Sequence, residues 1–382
     1  MATTAHFGAE EQAMQAYFRE GQARALALPN RGPVRFTSHG RLHPEIVSAY
    51  EEFGFYVLTG VVGPIELAEL ESDYLAILDR LPAEPGAALD RQGRPALGAD
   101  LAMPIAHWAR PLSDPQGGTE KAMGRHPVKM FEPRPAAGLP EQVVFTVVGA
   151  LQLSDAFLRL YAHPDLLRVA ATINGEDFVP FQEGIIIKRP GEGRSFAWHQ
   201  DGVSHWGNPE WDQHIHGMNL MTQLYGSTPA NGVWFVPGSH RLGQADIRAM
   251  AERAGSERLP DAVPLACAPG DVALSNRQVV HGSFANTSPD IRVTLSMGFH
   301  PRRGVLGVRG IHSETLQPVT FDAEFVRRRA EMIGYAIDAR RQRYPEEASF
   351  VYRPHSEAGE TFHWDASARV AIRDYNRYDL RT

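Results

Sequence analysis

Residues 196–202 read F-A-W-H-Q-D-G, and residues 279–292 read V-V-H-G-S-F-A-N-T-S-P-D-I-R. These two stretches decide the fold. In an extended strand, side chains two positions apart share a face, so His199 and Asp201 can address one point without a kink. His281 lies 82 positions beyond His199 and must arrive on a different strand, the kind of return that a β-barrel topology supplies. Residues 286–290 (N-T-S-P-D) are turn formers, so His281 and Arg292 can sit on adjacent antiparallel strands. Arg292 opens the alternating run R-V-T-L-S-M-G-F and can point into a barrel beside His281.

Two imidazoles and one carboxylate in this order form the pattern of a facial triad, which holds one face of an octahedral iron(II) ion and leaves the other face open. Arg292, eleven positions after His281, adds a permanently charged fork that can hold the far carboxylate of a keto-acid chelated at the metal. The chain has 16 histidines, and His199-x-Asp201 alone is equally readable as a hydrogen-bonded pair. The distal H-G-S and the arginine in register with it single out the metal reading.

Further motifs stand in a fixed order: K-R-P-G-E-G at 188–193, W-H-Q-D at 198–201, N-G-V-W-F-V-P-G-S-H at 231–240 and P-G-D at 269–271, then H-G-S and Arg292. Upstream, 42–62 reads L-H-P-E-I-V-S-A-Y-E-E-F-G-F-Y-V-L-T-G-V-V. This set resembles the phytanoyl-CoA dioxygenase family of iron(II)- and 2-oxoglutarate-dependent oxygenases. The resemblance implies a mainly β fold with flanking helices around a double-stranded β-helix core, jelly-roll and cupin-like. It also implies Fe(II), 2-oxoglutarate and O2 as cofactor and cosubstrates, with His199, Asp201 and His281 as the catalytic metal ligands. Hydroxylation or another oxidation of an unactivated C–H bond would follow, releasing succinate and CO2; retention of Asp201 fits that outcome, because related halogenases replace this carboxylate.

The resemblance extends to binding residues. Ser283 falls where the family's hydroxyl joins Arg292 in holding 2-oxoglutarate; as a plain turn serine it would cap backbone instead. Strand alternation puts Gln182, Gly184, Ile186 and Lys188 on one face and Glu183, Ile185 and Ile187 on the other. Gln182 matches a polar position that relatives use toward substrate and cosubstrate, although Ile186 replaces another such position. In 217–225, Asn219, Met221 and Gln223 share a face that the family turns to the cosubstrate, with Met221 read as core. Residues 202–216 are dense in Trp and His, and His205, Trp206 and Trp211 are expected to form an aromatic wall for the substrate. His214-x-His216 reads as a surface pair rather than a second metal site.

Composition sets limits. A chain of 382 residues, 43% apolar, buries a large core. A net charge of −7 and a pI near 6.1 argue against nucleic acid and anionic membranes as partners, leaving a small-molecule substrate. One cysteine, Cys267, excludes internal disulfides and suits a reducing compartment. With no hydrophobic leader and no apolar run long enough to span a bilayer, a cytoplasmic location is expected.

The blocks along the chain predict helices at 9–28, 43–53, 65–81, 154–173 and 321–343, with a buried strand at 55–62. Residues 82–141 form a Pro- and Gly-rich excursion that is too long for a passive connection and is expected to border the site. The expectation is one catalytic domain over 1–382: a mainly helical N-terminal region over 1–177, the double-stranded β-helix at 178–308, and a helical extension 309–382 whose segment beyond Val319 could form a homodimer surface. Two rivals stay open from the residues alone. One is a zinc-dependent hydrolase or isomerase on the same barrel; the other is a barrel that binds a small molecule without turnover.

Overall fold

The computed structural model describes residues 5–202, 205, 206, 212, 214–311 and 318–377; Trp211 lies outside them. Strands β1 (Arg31–Pro33), β2 (Phe55–Thr59), β3 (Ala106–Ala109), β4 (Val143–Val148), β5 (Val179–Lys188), β6 (Phe196–His199) and β7 (Met218–Gln223) are followed by β8 (Trp234–Phe235), β9 (Val263–Pro264), β10 (Val272–Asn276), β11 (His281–Ser283) and β12 (Arg292–His300). A short hairpin, β13 (Arg309–Ile311) and β14 (Pro318–Thr320), closes the series. The larger sheet runs β1-β2-β10-β7-β12-β5-β4-β3 and the smaller β6-β11-β8-β9. Two facing sheets made of non-consecutive strands give the expected double-stranded β-helix, with sheets that do not close on each other.

Helices flank the sheets. They are α1 (Glu11–Ala27), α2 (Pro44–Phe53), α3 (Pro64–Arg80), α4 (Asp155–Tyr161), α5 (Pro164–Asn174), α6 (Ile247–Ala254), α7 (Ala323–Arg343), α8 (Arg353–Glu357) and α9 (Ala366–Ala371). The single helix predicted over 154–173 is two. Pro164 starts α5, and a residue before proline is driven out of the helical region, so His163 adopts φ −56°, ψ 122° and breaks the run. Ser154 caps α4 by accepting from the Phe157 amide.

Alternation sorts the strands by face. Ile185 and Ile187 of β5, Val293, Leu295, Met297 and Phe299 of β12, and Met218 and Leu220 of β7 pack into the main core beneath the helices. The opposite faces of the same strands look between the sheets: Lys188 reaches Ser283 on β11, and Asn219 reaches Asp201 just beyond β6. The alternation read from the sequence fails at one position. Gln182 has φ +54° and falls where the pairing of β5 with β12 shifts register, between Met297 and Gly298; a β-bulge there re-aims the start of the strand.

The excursion at 82–141 is not confined to the rim. Its β3 pairs with β4 and so extends the larger sheet past β5. The C-terminal segment packs back onto its own chain: the Tyr352 hydroxyl donates to the Phe178 carbonyl, and Trp364 and Ile372 join the main core. No described helix is long and apolar enough to cross a membrane.

Candidate metal centre and cosubstrate site

His199 ends β6 and His281 begins β11, and the two are direct partners in the antiparallel pair. Their rings stand 4.0 Å apart, centroid to centroid. Each imidazole is fixed by the same local device. His199 Nδ1 bonds the Ala197 carbonyl at 2.8 Å and His281 Nδ1 the Val279 carbonyl at 2.9 Å, in each case two residues back. With Nδ1 holding the proton, Nε2 is left as the lone-pair nitrogen, the orientation that metal-ligating histidines take from their outer partners. Gly202 follows Asp201 with φ +80°, and a Cβ there would meet His216 Nδ1 at 2.8 Å, so the tight turn after the carboxylate requires glycine.

Asp201 brings the third candidate ligand group. Its Oδ1 lies 3.5 Å from His199 Nε2 and its Oδ2 3.9 Å from His281 Nε2, and the three groups offer ligand atoms within 4.8 Å of one another. Two donors that share an ion at about 2.1 Å each can stand at most about 4.2 Å apart, a limit that Oδ1 meets toward His199 and Oδ2 toward His281. Charge agrees as well. Burial would push the Asp201 carboxyl up, but Arg277 and the two imidazoles hold it well below the usual carboxylate range. Burial, with His281 and His126 nearby, keeps His199 well below the usual imidazole range, and burial lowers His281 too. An ionised carboxylate and neutral imidazoles are the states that bind a metal.

Four residues around the triad were not singled out as site residues by the sequence. Arg277, buried just past the end of β10, directs Nη2 toward Asp201 Oδ2 at 3.8 Å and donates from Nη1 to Asn219 Oδ1 at 2.7 Å. Asn219 returns a bond from Nδ2 to Asp201 Oδ2 at 3.1 Å. The excursion supplies the next two: Arg125 Nη1 meets Asp201 Oδ1 at 3.3 Å, and His126 Nδ1 shares the Ala197 carbonyl with His199 at 3.0 Å. The His126 ring sits 4.4 Å from that of His199, and burial beside Arg125 pulls its pKa down to about 4. The excursion 82–141 thus touches Asp201 and His199, two residues of the candidate centre. Nothing in the aperiodic G-R-H-P of 124–127 signalled it.

The fourth is Lys188. It is fully buried and donates from Nζ to Ser283 Oγ at 2.8 Å and to the Phe284 carbonyl. Arg292, its register partner across β5 and β12, is 1% exposed and donates from Nη1 to the Asn231 carbonyl at 2.9 Å, while its Nε is buried with no partner. Burial, then Arg292 and Arg194, holds the Lys188 amine well below its ordinary value, and burial lowers Arg292 to about 10. Two buried cations without a carboxylate are costly unless an anion joins them. A dicarboxylate whose far end enters here fits that deficit. Ser283, expected to hold this carboxylate with Arg292, is already tied to Lys188.

The remaining expected residues are distributed unevenly. Gln223 faces the interior but is engaged, accepting from the Thr294 hydroxyl at 3.0 Å and donating to the Met221 carbonyl at 3.1 Å. Gln182 sits at the bulge of β5, toward the opposite end of that strand from Lys188. Trp206 is half-buried, edge-on to His216 at 4.4 Å. His205, expected on a substrate wall, is buried. It is 1% exposed, its Nε2 bonds the Gly304 carbonyl at 2.6 Å, and its ring faces His216 and His300. His216, read as a surface residue, is fully buried, with Nδ1 on the Asp201 carbonyl at 3.1 Å; it braces the turn that carries the ligand.

The profile of the family described as Phytanoyl-CoA dioxygenase (PhyH) matches residues 50–294. Among solved structures, EctD from S. alaskensis with 2-oxoglutarate and 5-hydroxyectoine aligns over 76% of this chain and 88% of its own, at 22% identity and a TM-score of 0.50, a likeness of fold. AviO1 from Streptomyces viridochromogenes Tue57 aligns over 66% and 92% at 21% identity, TM-score 0.45. The non-heme alpha ketoglutarate dependent epimerase SnoN from nogalamycin biosynthesis aligns over 66% and 80% at 18% identity, TM-score 0.43. Curated proteins give no sequence match. A double-stranded β-helix with a His-Asp-His cluster between its sheets defines a non-haem iron oxygenase. The chain belongs to the phytanoyl-CoA dioxygenase family, a family of iron(II)- and 2-oxoglutarate-dependent oxygenases.

Proposed function

We propose that this chain is a dioxygenase that hydroxylates, or otherwise oxidises, an unactivated C–H bond of a small organic substrate, with release of succinate and CO2. The observation that carries the reading is the pairing of a preformed His199–Asp201–His281 cluster with two buried cations, Lys188 and Arg292, that form no ion pair among the described residues.

His199 Nε2, His281 Nε2 and an Asp201 oxygen would hold iron(II). Bound there with 2-oxoglutarate, the metal supplies the oxidising power for C–H attack, chemistry that no side chain of the chain provides. The side chains do the rest. Asn219 and Arg277 hold Asp201 Oδ2, and Oδ1, the oxygen nearer His199, would give up its contact with Arg125 Nη1 to the ion. Arg292, through its free Nε, and Lys188 receive the far carboxylate, with Ser283 aiming the Lys188 ammonium. Trp206 contributes the substrate wall, and Trp211 belongs to the same proposal. Side-chain exposures of 7%, 9% and 15% for His199, Asp201 and His281 keep the centre dry, which strengthens each charged contact.

Residues 1–382 act in this proposal as one catalytic domain in the reducing cytoplasm, with neither nucleic acid nor membrane as partner. Val351 and Val370, about 70% exposed on the C-terminal segment, are where a second copy would pack. The test is direct: protein loaded with iron(II) and 2-oxoglutarate should form succinate in an oxygen-dependent manner. A zinc hydrolase on the same ligands would form none and would leave Arg292 and Lys188 without a purpose.

A further inference from the structure

We infer that Arg125 is the receptor for an anionic group of the substrate, a carboxylate or a phosphate. The inference rests on the metal site proposed above and begins from the partners of Asp201. Oδ2 is held by Asn219 at 3.1 Å with Arg277 at 3.8 Å, and Arg277 is itself anchored on Asn219 Oδ1 at 2.7 Å. Oδ1, the oxygen proposed above to take the ion, has Arg125 Nη1 at 3.3 Å. Arg125 and a metal therefore compete for one oxygen, and Arg125 forms no other ion pair among the described residues. Its Nε donates to His126 Nε2 at 3.2 Å, which ties the guanidinium to the imidazole packed on His199 and keeps it at the centre when Oδ1 is taken.

The charge balance points the same way. Lys188, Arg194, Arg277 and Arg292 are buried around the interior, and of the buried carboxylates nearby Asp114, Glu183 and Asp271 are spent on backbone amides, which leaves Asp201 to answer them. A divalent cation raises the excess, and a dicarboxylate cosubstrate answers Lys188 and Arg292 only. Once an ion takes Oδ1, the guanidinium of Arg125, with its side chain 15% exposed, has no other carboxylate partner among the described residues. Its backbone setting is also unusual. Ala122 and Met123 have φ of +51° and +58°, and Gly124 follows at +69°. Two consecutive non-glycine residues in the left-handed region are strained, and such strain persists where a side chain must be aimed. The substrate class that follows is an organic acid or phosphate ester whose reacting carbon lies near its charged end.

The test separates this inference from the metal site it depends on. Equilibrium dialysis without oxygen first measures iron(II) and 2-oxoglutarate binding; if the wild-type protein binds neither, the metal site itself fails. Given binding, the loaded protein is titrated with hexanoate against hexanamide and with hexyl phosphate against hexan-1-ol. Charge-assisted contacts predict that an anion binds at least about tenfold tighter than its neutral partner. The Arg125→Gln variant should shrink that preference below about threefold while iron(II) and 2-oxoglutarate still bind, and Arg125→Lys should restore some of it. Which pair discriminates identifies carboxylate or phosphate. Equal binding of charged and neutral probes by the wild type, including none by either, overturns the inference, as does an unaltered preference in Arg125→Gln.

Discussion

Lys188 and Arg292 are register partners across β5 and β12, two buried cations side by side with no carboxylate between them among the described residues. An arrangement that costs stability is explained if an anion completes it, and that makes the pair the most exacting place to test the proposed function.

Lys188→Met keeps the stem of the side chain and deletes the charge. Protein free of 2-oxoglutarate should lose little stability or gain some, because an unpaired buried ammonium is removed. The 2-oxoglutarate concentration for half-maximal succinate formation should rise at least about tenfold. Chemical denaturation and initial-rate assays measure the two effects; a destabilised variant with normal cosubstrate affinity would assign Lys188 a purely structural role.

Arg292→Ala removes the guanidinium whose buried Nε has no partner while its Nη1 is spent on the Asn231 carbonyl. The cosubstrate requirement should rise by about two orders of magnitude or more, and Arg292→Lys should recover only a fraction of it, since a point charge does not replace a bidentate contact. An unchanged half-saturation value in Arg292→Ala would place the carboxylate elsewhere.

Asp201→Ala should abolish iron(II) binding and 2-oxoglutarate consumption. It also strips Arg125 and Arg277 of a shared counter-charge, so the metal-free variant should be about 3 kcal/mol less stable than metal-free wild type. Asp201→Asn, of the same size, retains the charge deficit but can still hydrogen-bond. Full iron affinity in either variant, read by metal analysis after dialysis, would sink the triad.

Stability of the metal-free protein should depend on pH through buried histidines that are not ligands. Burial pulls His126 and His205 each down to about 4 in the folded chain, against about 6.5 when unfolded. Between these values the unfolded chain binds more protons, so stability rises with pH and is lost on acidification from about 6.5 toward 4. Denaturant titrations across that window should show the slope, and His205→Gln should flatten it; an identical slope in the variant would mean that His205 is not buried neutral.

The sequence by itself determined the strand faces and the chemistry on them. A period of two put His199 with Asp201 and Asn219 with Gln223, because side-chain direction along a strand is a local property. The adjacency expected of His281 and Arg292 failed: the turn at 286–290 carries the chain from one sheet to the other, with β11 between β6 and β8 and β12 between β5 and β7. Lys188 stood on the same alternating face as Gly184 and Ile186, and only its partners were missing. What the tertiary structure alone decided is which groups arrive from distant, aperiodic chain. Arg125 and His126 reach Asp201 and His199 from an excursion without periodicity, Arg277 turns inward from the end of β10, and His205 is buried against His216 and His300. Burial and charge pairing set those positions, and both are sums over neighbours that no local pattern encodes.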